Sequence, residues 1–202
     1  MIGLAYLAVG AVYLALTVWL TKRAAQAAKR RGMAGWKWGL PVVLVMYLLV
    51  FWDWIPTLVA QKYYCSKYAG FTVYKTPAQW KAENPGVAET LVANQGVEST
   101  RIGNQTRYEL NQRFVWDIVR EPTLFGIERI DNSVVDEATG EVLARYVDFS
   151  TNVGPIAVGA RSLRDYKFWM ASRSCESDGR KLNRKHFNEL KFFMMYGKEA
   201  NE

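Results

Sequence analysis

The chain has 202 residues, 50% of them hydrophobic and 14% aromatic, with 26 Lys and Arg against 19 Asp and Glu. One histidine and two cysteines exclude a His-rich or Cys-rich metal site of the usual four-ligand kind. Of the net charge of +7, +6 falls in the first 38 residues, so the remainder is nearly neutral and has no basic footprint for nucleic acid.

The first element runs from Ile2 to Leu20 without a charged side chain. A helix rising about 1.5 Å per residue needs roughly 20 apolar residues to cross about 30 Å of hydrocarbon, and this stretch meets that length. Gly39 to Ala60 is a second such stretch, with Asp53 as its one charge. Asp53 lies near the outer end, beside Trp52, Trp54 and Pro56, and is expected to contact water at the interface. Backbone groups in a bilayer need internal partners, so both stretches are predicted to be transmembrane helices rather than a hairpin in a soluble core. A cleaved signal peptide fits poorly, because the cations follow the apolar run instead of preceding it.

Between the two spans, residues 21–38 carry Lys22, Arg23, Lys29, Arg30, Arg31 and Lys37 and no acid. Short cytoplasmic loops retain Lys and Arg, which places the N-terminus and everything after Ala60 outside the cytoplasm. These six cations are the topology signal and the predicted contacts with anionic lipid headgroups. Trp36, Trp38, Trp52 and Trp54 mark the two interfaces of the second span. In the first span, Tyr6, Gly10, Tyr13 and Thr17 share one face and form a candidate helix-packing surface, facing the second span or another protein. Val42 to Phe51 has no small residue to offer a groove in return.

The remaining segment, 61–202, is long enough for one domain and holds both cysteines, Cys65 and Cys175. In an oxidising compartment these are expected to form a disulfide, since there is no Cys-x-x-Cys redox pattern. Gly70 to Lys75 reads as a strand, followed by a helix with Thr76 as N-cap, Pro77 at its first position and Gln79 completing a capping box. Pro85 and Gly86 end it. A short helix over Val87 to Ala93 and a polar loop over Asn94 to Gln105 come next. Strands are predicted at Arg107–Leu110, Arg113–Arg120, Phe125–Ile130, Ser133–Asp136, Val142–Ser150 and Lys167–Ala171. Gly140 marks a hairpin turn between Asp136 and Glu141, and both faces of Val142–Ser150 are expected to be partly covered. Lys181 to Tyr196 reads as a helix whose apolar end, with Phe192, Phe193 and Met195, either packs on the sheet, contacts the membrane surface or forms a candidate partner contact.

The resulting fold class is a membrane α-helical hairpin of two transmembrane helices (1–60), followed by an α+β extracytoplasmic domain with an antiparallel sheet (61–202). Motifs for catalysis are sparse. His186 has no recognisable nucleophile motif around it, no phosphate-binding Gly-rich loop is present, and no cofactor is implied. Glu128, Asp131, Asp136 and Glu137 are the candidates for a paired-carboxylate site, although acids in and beside hairpins are ordinarily solvated. Asn104-Gln105-Thr106 fits a glycosylation acceptor by chance. Three readings follow: an accessory or interaction protein of the bacterial cytoplasmic membrane that binds lipids and an envelope protein, an envelope enzyme acting on glycan, or an immunity or exclusion protein that binds a toxin or phage component. No oligomeric state follows from the sequence.

Overall fold

The computed structural model describes residues 2–94, 96, 98–151, 153, 167–171, 174–175 and 181–198, without the side chains of 2–6, 168 and 181. The chain divides into two compact units, Met1–Ile55 and Pro56–Glu202.

The first unit holds α1 (Ile2–Arg30) and α2 (Gly35–Phe51). Within α1, Leu7–Arg30 is long and apolar enough to cross a membrane. It ends at Gly32, whose φ of +73° permits the Met33 and Gly32 amides to donate to the carbonyls of Ala28 and Lys29. The two helices pack against each other through glycines of α2: a Cβ on Gly35 would lie 3.0 Å from the Ala25 carbonyl oxygen, and one on Gly39 3.4 Å from Thr21. Close approach therefore comes from the first turns of α2, just before the stretch that lacks small residues.

The expected unbroken second helix is corrected. α2 stops at Phe51, and α3 starts at Trp54 and continues to Lys67; only as a bent pair do they reach the length and apolarity of a span. Pro56 has no amide for the Trp52 carbonyl and its ring crowds that oxygen, which breaks the helix just upstream. Asp53 sits in this break and is 5% exposed, contrary to the expected open contact with water.

The second unit is α+β, built on one antiparallel sheet of six strands: β1 (Gly70–Val73), β2 (Ser99–Ile102), β3 (Gln105–Glu109), β4 (Phe114–Pro122), β5 (Glu128–Asp136) and β6 (Glu141–Ser150). Their order across the sheet is β1-β6-β5-β4-β3-β2. α4 (Pro77–Glu83) has the full capping box, with the Gln79 amide donating to Thr76 Oγ1 at 3.2 Å and the Thr76 amide donating to Gln79 Oε1 at 2.9 Å. α5 (Lys181–Tyr196) packs Phe187, Leu190, Phe193 and Met194 against Phe114, Val134, Leu143, Ala144 and Tyr146 on one sheet face. On the opposite face α3 buries Cys65 with Ile127, Phe149 and Cys175. Cys65 and Cys175 are disulfide-bonded, with Cα atoms 5.4 Å apart across 110 residues of chain.

Four further expectations are corrected. Phe125–Ile130 and Ser133–Asp136 are not two strands: β5 is continuous from Glu128, and Leu124–Gly126 is a 3₁₀ turn. The Asn94–Gln105 loop contains β2, whose Ser99-Thr100-Arg101-Ile102 shows no alternation because all four residues are exposed on the sheet edge. Val87–Ala93 forms only a 3₁₀ turn over Ala88–Thr90, and Lys167–Ala171 likewise forms one over Phe168–Met170. Along β6 both faces are buried in part, as expected. A register shift opposite Val134 and Val135 leaves Leu143 as the extra residue and turns it into the core beside Ala144.

Candidate functional site

The acids singled out from sequence are distributed over the sheet so that each meets an arginine. Strand alternation puts Glu128 and Asp136 on the face that carries α5, and Asp131 on the other. Glu128 lies 3.9 Å from Arg120, and Glu137, in the β5–β6 turn, 3.5 Å from Arg107. Asp131 receives Arg145 Nε at 2.8 Å and Arg129 Nη2 at 3.1 Å. The four carboxylates do not converge on one bond-sized site.

Asp136 is not a solvated hairpin acid, as its position suggested; it is 1% exposed. Arg113 Nε donates to Oδ1 at 3.0 Å and Arg113 Nη2 lies 2.9 Å from Oδ2, while Trp80 Nε1 donates to Oδ2 at 3.0 Å and the Ala138 amide to Oδ1 at 3.1 Å. Burial pushes the carboxyl up, but the Arg113 and Trp80 hydrogen bonds and the Arg113 charge outweigh it and hold Asp136 below the usual carboxylate range. Arg113 is fixed in turn by Asn84 Oδ1 at 2.8 Å. This cluster ties α4, the β3–β4 turn and the β5–β6 hairpin together.

The part of the Asp131 face that α3 leaves uncovered is the better candidate for contact with another molecule. A groove of about 570 Å³ runs across it, lined by Tyr74, Val119, Glu121, Asp131, Ser133 and Arg145 among others. Asp131 binds Arg145 and Arg129, Arg129 lies 3.7 Å from Glu121, and further along the same face Arg107 grips Asp117 through two 2.8 Å hydrogen bonds. The hydrogen bonds to Asp131 and Asp117 raise the pKa of Arg145 and Arg107, so both guanidinium groups stay charged. At one corner of the α5-bearing face a second cavity, of about 630 Å³, is lined by Arg101, Gly103, Asn104, Thr106, Arg120 and Glu128. Asn104, of the acceptor triplet, is exposed in the β2–β3 turn.

The remaining sequence candidates fall in different places. Lys22, Arg23, Lys29, Arg30, Arg31 and Lys37 are all exposed around the α1–α2 connection. Of the proposed packing face, Tyr13 donates its hydroxyl to the Met46 carbonyl of α2, while Thr17 bonds back to Tyr13 at 2.8 Å. Gly10 has open space where a Cβ would be, and the side chain of Tyr6 lies outside the described residues. At the end of α5, Phe193 is a core residue, in line with the sheet-packing alternative for that position. Phe192 is half-buried against Tyr196, with ring centroids 4.5 Å apart, and Met195 packs partly on the core. His186 is exposed, its ring 6.4 Å from that of Phe71.

Sequence reading missed the groove, because its residues come from β4, β5, β6 and Tyr74 just after β1, and no local motif joins them. It also missed Lys191, which lies 3.7 Å over the Trp116 ring and whose pKa is lowered by burial. Among the described residues no cluster of three or more His, Cys, Asp or Glu is arranged to hold a metal ion. No protein-family model matches the chain, and no curated protein or solved structure does either.

Proposed function

We propose that the protein is a membrane-anchored interaction protein of the bacterial cytoplasmic membrane that presents its sheet domain to an envelope protein complex. In this reading α1 and α2 form the anchor, the six loop cations stay in the cytoplasm, and the domain, which α3 begins, stands outside. The Cys65–Cys175 bond supports an oxidising location, and the span-length helix supports the anchor. A tether of this kind raises the effective concentration of the domain near a membrane partner without adding any contact.

The pairing of groove acids with arginines carries the binding assignment. Asp131 is held between Arg145 and Arg129, which suits a preorganised polar surface. A general acid for glycan cleavage needs a raised carboxyl pKa, and arginine neighbours act in the opposite direction.

Isolation of the tagged full chain in mild detergent tests this reading. The expected result is a stoichiometric envelope protein that co-purifies with the parent and is lost from a folded Arg145→Glu variant. Recovery of the folded parent alone, or undiminished partner recovery with Arg145→Glu, would overturn it.

A further inference from the structure

α3 presents two different faces. Thr57, Gln61 and Cys65 are spaced by four and are buried. Thr57 Oγ1 and Gln61 Nε2 reach the carbonyls of Phe125 and Phe149 at 3.5 Å, and Cys65 is bonded to Cys175. These attachments fix the helix about its own axis, so what it turns outward is fixed as well. The outward residues are Leu58 and Val59, 45% and 64% exposed, followed by Lys62, Tyr63, Lys67 and Tyr68. Lys67 Nζ lies 5.5 Å over Tyr63 and 5.6 Å over Tyr68, and hydrogen bonding to Tyr63 raises its pKa. No acid occurs between Asp53 and Glu83.

A second exposed apolar group lies beside α3, reached from its Thr57. The β4–β5 turn carries Leu124, 66% exposed, and Phe125, 43% exposed. Phe125 has φ +55°, and is the one non-glycine residue with positive φ among the described residues. A bulky side chain held there strains the backbone. Burial repays that strain only in part, since 43% of the residue stays exposed. Its carbonyl accepts from Thr57, which lies in the first turn of α3, about 5 Å along the axis from Trp54. The acids that flank the turn are matched, Glu121 by Arg129 at 3.7 Å and Glu128 by Arg120 at 3.9 Å.

We infer that the outward face of α3 and the Leu124-Phe125 turn form a foot that rests on the anionic surface of the bilayer. Leu58, Val59, Leu124 and Phe125 enter the acyl boundary, and Lys62 and Lys67 meet headgroup phosphates. The tyrosines sit between the two, where one apolar and one polar end are both satisfied. Chain connection points to this occupant over a soluble protein: only Trp52 and Asp53 separate α2 from α3. The inference rests on the anchor proposed above.

The test uses the full chain, reconstituted in vesicles of phosphatidylethanolamine and phosphatidylglycerol at about 3:1, with an environment-sensitive fluorophore on a single added cysteine. Labels go at Val59→Cys and Leu124→Cys, and the comparison label at Ala138→Cys in the β5–β6 turn. That turn lies at the far end of β5, roughly 27 Å from Glu128 at about 3.3 Å per residue. Lipids with a nitroxide near the headgroup should quench the first two labels about threefold more than the third, as expected for a shallowly inserted face. Phe125→Gly removes the strained ring and should leave the domain at least as stable while cutting quenching at position 124 about twofold. Equal quenching at all three positions would overturn the foot, and equal quenching at 59 in phosphatidylcholine vesicles would overturn its preference for anionic lipid. A label at Leu44→Cys with a nitroxide deep in the acyl chain separates the two readings. Quenching at 44 without quenching at 59 and 124 defeats the foot alone, whereas no quenching at 44 defeats the anchor.

Discussion

Trp80, Arg113 and Asp136 come from three separate parts of the chain and converge on one buried carboxylate, whose side chain is 2% exposed. Breaking such a pair leaves a charged guanidinium without its partner, so Asp136→Asn should cost about 3 kcal/mol at neutral pH, read as a shift in denaturant unfolding in mild detergent. The pH dependence has a definite sign. The folded carboxyl lies below the unfolded value of about 3.9, so its stabilisation is complete above that value and is lost as the pH falls through the lower folded one. Asp136→Asn should flatten that acid limb and leave the profile above about pH 5 displaced but parallel. A variant with the parent's acid profile would show that Asp136 does not carry it. Sequence reading located Asp136 in its hairpin but not in its cluster, because burial there depends on Trp80 and Arg113 arriving from 56 and 23 positions away.

Elements differ in how far local chemistry decides them. Thr76, Pro77 and Gln79 specify α4 within four residues, and Gly140, with φ +71°, specifies the β5–β6 turn, so both were legible. β2 was not, since an edge strand with four exposed residues buries nothing that would impose alternation. The break before α3 was signalled by Pro56 but masked by the apolar run on either side. At the end of α5 the helical period separates neighbours that composition groups together. Phe193 faces the core at 8% exposure and half-buried Phe192 packs against the exposed Tyr196. Phe193→Ala should therefore cost about 3 kcal/mol and Phe192→Ala about 1, measured by the same unfolding transition. Equal losses would mean that the helix is rotated from the orientation described.

At the scale of the whole molecule, the charge asymmetry yields the expectation about placement. A reporter active only outside the cytoplasm should work when fused after Glu202, and a cytoplasmic reporter should work when inserted near Gly32; the reverse pair of results would refute the proposed topology. The candidate groove was invisible at this scale too, because nothing in composition shows which charges a sheet will bring opposite one another. The disulfide has a consequence for biosynthesis. Cys65 precedes Cys175 by 110 residues, and β1 pairs with β6, the first and last strands among the described residues. At a synthesis rate of roughly 5 to 20 residues per second, Cys65 waits about 5 to 20 s for its partner to leave the ribosome. Until β6 emerges β1 has no neighbour to pair with, and until Cys175 follows Cys65 is a thiol open to the wrong oxidant. Nascent chains that have emerged past Ser150 but not yet to Cys175 therefore hold all six described strands with their covalent closure still pending, and that closure falls to whatever catalyses thiol oxidation where the chain emerges.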